Sequence, residues 1–143
     1  MRRLMGVCAL VALWAVPAFG QQTVINPTKV EFDSANHATN CPADNCVASY
    51  LVELWLQGVD PASGAPVTSC TVPKTAVTQT GVPSPMYRAP FSACTPILAY
   101  PSGQILVVRM VAAGDFVNSA RSGASNPFVK ANPAASPANL RVN

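Results

Sequence analysis

Residues 48–58, ASYLVELWLQG, decide the fold. Side chains alternate along them, with Tyr50, Val52, Leu54 and Leu56 on one side and Leu51, Glu53, Trp55 and Gln57 on the other. A period of two is the signature of a β-strand, in which successive side chains point to opposite faces of a sheet. The run ends at Gly58, and VDPASGAP follows, a cluster in which Asp60-Pro61 and Gly64 supply turn geometry.

The same period recurs in both directions. Upstream, KVEFD places Val30 and Phe32 on one side and Lys29, Glu31 and Asp33 on the other. Downstream, VTSCTVPKTAV reads as a strand ending near Pro73, because proline has no N–H to give to a ladder. MYRAPFSA is a further short strand, and CTPILAYPSGQ a loop crossing between sheets. ILVVRMVAAG is the longest β-rich run, with Leu106, Val108, Met110 and Ala112 inward and Val107, Arg109 and Val111 outward. SGASNPFVKA closes the series as a last strand with a polar, irregular start. Helix signals are nearly absent, and 13 of the 14 prolines lie after Gly20. Short strands separated by turn clusters predict an all-β protein, an antiparallel β-sandwich of about seven strands.

The N-terminus predicts export. MRR is a short basic start, the next 13 residues are apolar, and PAFG supplies a breaker and small residues before Gln21 and Gln22. This is the pattern of a secretory signal peptide over residues 1–20, and the apolar run is too short to span a bilayer. Cleavage after Gly20 leaves 123 residues, enough for one domain with its own core. Seven basic and six acidic residues remain, a balance that argues against nucleic acid as a partner and against an electrostatic grip on membranes.

Four cysteines remain after Gly20, an even number suited to an oxidising compartment. Of the three pairings open to them, the spacing favours Cys41 with Cys46, across the turn-rich PADN, and Cys70 with Cys94. The organisation predicted is a signal peptide at 1–20, a sandwich at 21–130 and a Pro/Ala-rich tail at 131–143. That tail ends in a strand-like Asn139, Leu140, Arg141 and Val142.

One stretch resembles a known family. LAYPSGQILVVRMVAAGDFVNSARSGASNPF is similar to the end of a fibronectin type III domain, in which a Leu and a Pro lead into Val-Arg-Val, a small residue, a glycine turn and Ser-x-x-Ser. Leu98, Pro101, Val108, Arg109, Met110, Ala112, Gly114, Ser119 and Ser122 occupy those roles. YLVELW looks like the family's third strand and KVEFD like its second, with Phe32 where the family often carries a Trp. The resemblance spans about residues 28–128; Leu106 stands where the family has Tyr, and only QQTVINP precedes KVEFD to supply a first strand. It implies an immunoglobulin-like, fibronectin type III-like sandwich with a binding or spacer role.

Candidate chemistry is sparse. The exported part has six carboxylates, Glu31, Asp33, Asp44, Glu53, Asp60 and Asp115, and one histidine, His37. Alternation places Glu31, Asp33 and Glu53 on solvent faces, and His37 lies in a polar loop with nothing to orient it, so no acid–base pair converges. Asp33, Asn36, Asp44 and Asn45 cluster near one loop, but in no calcium-binding spacing, and they read as turn formers. The expectation is no enzyme activity, no cofactor and no metal. The outward row of the third and sixth strands is the candidate binding face: Trp55 beside Arg109, with Glu53 adjacent, as an exposed aromatic–cation pair or as a cation–π contact that stiffens the sheet. Phe116 and Tyr87 are further exposed-aromatic candidates.

The expected function is a secreted, periplasmic or extracellular, module that meets a protein or a cell-surface polymer. The alternative is a subunit of an extracellular fibre, self-associating through exchange of the tail residues Asn139 to Val142.

Overall fold

The computed structural model describes residues 23–37 and 46–131. The predicted signal peptide, Cys41 and Asn139–Val142 therefore lie outside the described residues. The two long runs form the longest strands: β3 spans Val47–Leu56 and β7 spans Ile105–Gly114. They pair antiparallel, with Tyr50 opposite Ala112, Val52 opposite Met110 and Leu54 opposite Val108, so the two apolar rows share one face. β4 (Thr68–Pro73) borders β3 on the other side. β8, only Phe128–Val129, borders β7, and β1 (Val24–Ile25) pairs with β8 in parallel, giving a five-stranded sheet in the order β1-β8-β7-β3-β4.

The second sheet has three short strands in the order β2-β6-β5: β2 is Lys29–Phe32, β6 Tyr87–Pro90 and β5 Thr78–Gln79. The two sheets share one apolar core. Tyr50, Val52, Leu54, Leu106, Val108 and Met110 from the large sheet meet Tyr87 and Ala89 from the small one, and the Phe32 ring packs edge-on to that of Tyr50 at 4.8 Å. The described residues are thus a two-sheet, mostly β arrangement.

Two features depart from the sequence reading. The crossing segment before β7 contains a short helix, α1 (Thr95–Ala99), with Pro96 in its first turn, where proline's missing N–H costs nothing. Ile97 plugs this helix into the core. Tyr87, expected to be exposed, points inward and is 3 % exposed. Its register opposite Phe32 on β2 puts it on the inner face, whatever the turn residues beside it suggest.

A disulfide joins Cys70 on β4 to Cys94 just before α1, with Cα atoms 5.6 Å apart. It fastens the edge of the large sheet to the crossing segment. Cys46 is also disulfide-bonded.

At the other end of β3 the chain turns through Gly58 (φ +83°) into the loop that carries Gly64. A Cβ at Gly64 would stand 2.3 Å from Val59 Cγ1 and 3.8 Å from the Trp55 ring, so only glycine lets this loop fold down over the indole.

Candidate functional site

The outer face of the large sheet is where the sequence places Glu53, Trp55 and Arg109. Alternation does put all three there, since Glu53 faces Arg109 and Trp55 faces Val107 across the β3–β7 ladder. The face is nevertheless covered: Trp55 is 1 % and Glu53 3 % exposed. The cation that meets them comes from elsewhere. Arg121 donates through Nε to Glu53 Oε2 at 2.6 Å and through Nη2 to Oε1 at 3.0 Å, a two-pronged pair. Its guanidinium carbon also lies 5.2 Å from the centre of the Trp55 ring, and the indole N–H donates to Glu53 Oε2 at 3.1 Å. The aromatic–cation contact expected between Trp55 and Arg109 is therefore made by Arg121.

The electrostatics follow from that geometry. Arg121's bonds hold the Glu53 carboxyl below its ordinary value against the opposing effect of burial, helped by the Trp55 N–H and by the charges of Arg121 and Arg109. The Glu53 carboxylate in turn raises the guanidinium's affinity for its proton. Arg109 is half-buried beside them and donates through Nη1 to the Ser122 carbonyl at 3.2 Å, while its Nε has no hydrogen-bond partner among the described residues.

Arg121 reaches Trp55 because of how residues 119–125 run. Ser119, Ser122 and Ser125 recur every third residue and bind every second residue of β7. Their N–H groups donate to the carbonyls of Ala112, Met110 and Val108 at 2.9, 2.8 and 2.9 Å. In each case the serine hydroxyl also accepts the N–H of the same β7 residue, at 2.9 Å. Each hydroxyl then gives its proton to the carbonyl of the next residue, at 2.8 Å. Three residues thus match two of a strand, an advance of about 2.2 Å per residue where a strand advances about 3.3 Å. The edge of β7 is satisfied without a strand, and Arg121 is left free to lie over the sheet. The serine spacing is visible in the sequence, but the resemblance to the fibronectin type III end covers only Ser119 and Ser122, through their position before the last strand.

The remaining candidates fall apart from one another. His37 is oriented after all: its Nδ1 is 2.7 Å from the Tyr50 hydroxyl and its ring lies 4.1 Å from that of Tyr87. Burial, then the charge of Lys74, lowers its proton affinity. Asp33 accepts from the Ser84 hydroxyl at 2.5 Å and the Met86 N–H at 2.8 Å, and these two bonds lower its pKa. Glu31 is ion-paired to Lys29 and Arg88 at 2.9 Å each. Asp60 accepts the Ala62 N–H at 2.9 Å. Each of these four side chains stands in its own local network. No group of three or more His, Cys, Asp or Glu side chains that could hold a metal occurs among the described residues.

No family model, curated protein or solved structure matches the chain. The site must be read from its own geometry. On the outer surface Phe116 is 77 % exposed and Val117 64 %, an apolar corner just past β7. Between the sheets, two cavities of about 430 and 640 Å³ lie along β2.

Proposed function

We propose that the chain is a secreted, non-enzymatic module of immunoglobulin-like, fibronectin type III-like architecture that makes binding or structural contacts with a protein or a cell-surface polymer. One observation carries the reading: the strand order. With β2 to β8 taken as the successive strands of such a module, β2 beside β6 and β5 corresponds to one sheet, and β3 between β4 and β7, with β8 beyond, to the other. The dispersal of Glu31, Asp33, Glu53 and His37 into separate structural bonds supports a role without chemistry, since catalysis needs such groups to converge. The basic-then-apolar N-terminus and the Cys70–Cys94 bond support export, and no helix among the described residues is long and apolar enough to cross a membrane.

The contact surface under this reading is the Phe116–Val117 corner, because Trp55 is covered and offers no indole face to a partner. Binding of the exported chain to cell-surface preparations, compared with that of Phe116→Ser, tests it. Saturable binding weakened at least tenfold in the variant is expected, and absence of saturable binding by the natural chain would overturn the reading.

The fibre-subunit reading is favoured by a different observation: among the described residues, no strand pairs with the outer edge of β2.

A further inference from the structure

We propose that the outer edge of β2 and the seam beside it are the acceptor site for residues 139–142 of a second copy of this chain, which adds there as a strand. The proposal rests on the sandwich reading above and extends the fibre reading by naming both halves of the contact.

Among the described residues no strand covers this edge, and its hydrogen-bonding groups can be named. The Phe91 N–H donates to the Thr28 carbonyl at 2.9 Å, and the β2–β6 register puts Val30 opposite Ala89 and Phe32 opposite Tyr87. In an antiparallel ladder hydrogen-bonded pairs alternate, so Val30 and Phe32 bond to β6 while the N–H and C=O of Lys29 and Glu31 point away from it. Pro90 stands opposite Lys29, where β6 needs no N–H, which fits that phase. Lys29 and Glu31 thus present a row of backbone donors and acceptors to whatever lies outside.

The core is also unfinished along this edge. Tyr87 and Ala89 on β6 are 3 % and 1 % exposed, yet the β2 residues opposite them, Phe32 and Val30, are only half-buried. Beside them run the two cavities, one between Phe32 and Met110 and the other between Val30 and Val108, each closed on its far side by the serine-bearing segment. One added strand would satisfy the open backbone groups and place its inward side chains in both cavities.

Residues 139–142, NLRV, have the matching pattern: Leu140 and Val142 on one face, Asn139 and Arg141 on the other. Leu140 and Val142 would enter the seam. Arg141 would lie on the outer face, near the carboxylates of Glu31 and Asp33. The charges on that face are already mostly paired, with Lys29 and Arg88 both on Glu31, so the edge carries little net repulsion against an incoming strand.

Direction decides between a second copy and the chain's own tail. Ala131 leaves the domain beside Asn26, whose side chain bonds both its N–H and its carbonyl, at the pole where β2 begins. An antiparallel strand on β2 must enter at the opposite pole. The chain's own tail would have to double back along the whole edge, whereas the tail of another copy can run straight in. Each copy then offers one tail and one edge, a head-to-tail contact that does not close on itself.

The test uses the exported chain, the double variant Leu140→Asp/Val142→Asp and the edge variant Glu31→Pro, compared by sedimentation over a hundredfold concentration range. Glu31→Pro removes an N–H that faces away from β6, so the ladder within the sheet is kept. Trp55 fluorescence verifies that each variant is folded. The expected result is concentration-dependent association of the natural chain, lost in both variants, with exchange of the Lys29 and Glu31 amides slowed at least tenfold on assembly. A synthetic peptide of residues 137–143 should compete with assembly and protect the same amides.

A monomeric natural chain with fast exchange at Lys29 and Glu31 would overturn the proposal. So would association that survives both variants, or monomers whose Glu31 amide is protected by their own tail. If association fails while monomers bind a surface polymer, only this inference falls and the module reading stands; if neither association nor binding is found, both fall.

Discussion

Replacing Arg121 by methionine removes the charge that lies against Glu53 while keeping an unbranched apolar stem over Trp55. Breaking a buried ion pair by removing one partner costs about 3 to 5 kcal/mol, because the other charge is left buried. Here the Glu53 side chain is 4 % exposed but that of Arg121 is 36 % exposed, so water would reach part of the orphaned carboxylate. We expect a loss of about 2 kcal/mol at pH 7 after that screening. The sign of its pH dependence follows from Glu53. The folded carboxyl is held below its ordinary value by Arg121, so the pair stabilises above the unfolded pKa and its contribution fades as pH falls through the folded one. In the variant the same carboxyl loses its main partner and keeps only the Trp55 N–H and the charge of Arg109 against burial, so its pKa rises and protonation relieves the penalty.

Urea unfolding followed by tryptophan fluorescence reads this directly, because Trp55 is the only tryptophan after the predicted leader, which carries Trp14. The Arg121→Met penalty of about 2 kcal/mol at pH 7 should be smaller at about pH 4, below the ordinary carboxylate value, and fade further as pH falls through the lowered folded pKa. It should also fall below about 0.5 kcal/mol in a Glu53→Gln background, where a neutral amide still accepts the Trp55 N–H. An equal penalty at both pH values, or in both backgrounds, would refute the electrostatic account and assign Arg121's role to packing of its stem on the indole.

Ser122→Ala leaves the Met110 N–H without the hydroxyl oxygen it donates to, and should cost about 1 kcal/mol and speed amide exchange at Met110. Replacing Cys70 and Cys94 together by alanine opens a loop of 24 residues and should lower stability by about 3.5 kcal/mol in the chain-entropy account, seen as a lower urea midpoint without change of fold. His37 keeps its proton less readily when folded than when unfolded, because burial disfavours the charged ring. Stability should therefore be full above the unfolded value of about 6.5 and decline as pH falls through the folded one. That decline between pH 7.5 and 5 should flatten in His37→Gln.

The long strands were legible because a period of two, sustained over ten residues in β3 and in β7, outweighs any local ambiguity. α1 was not, since five residues are too few to show a helical period and Pro96 reads equally as a loop residue. Alternation also assigned Glu53, Trp55 and Arg109 correctly to one face, but it cannot say whether a face is wet. The cover arrives from Arg121, 68 residues beyond Glu53, and from the loop carrying Gly64. Ser119, Ser122 and Ser125 carried the missing signal: a spacing of three is neither a strand's nor a helix's, and it marks a segment that satisfies an edge without joining it.

The two edges flanking the seam are finished in opposite ways. β7 has its outer backbone groups met by a segment whose serine hydroxyls accept the N–H groups that a strand's carbonyls would otherwise take. β2 has no such segment among the described residues, because the chain ahead of it is committed elsewhere: β1 pairs with β8, and Asn26, held at φ 48°, clamps Ala131 through both its amide oxygen and its amide nitrogen. Residues 24 and 25 border β8 of the large sheet and so are not available to β2. The half-buried Val30 and Phe32 are the consequence, since the same residues on a paired strand would be covered as Ala89 and Tyr87 are. The aromatic–cation cluster on the outer face is thus internally satisfied, whereas the outer edge of β2 is not satisfied by any strand among the described residues.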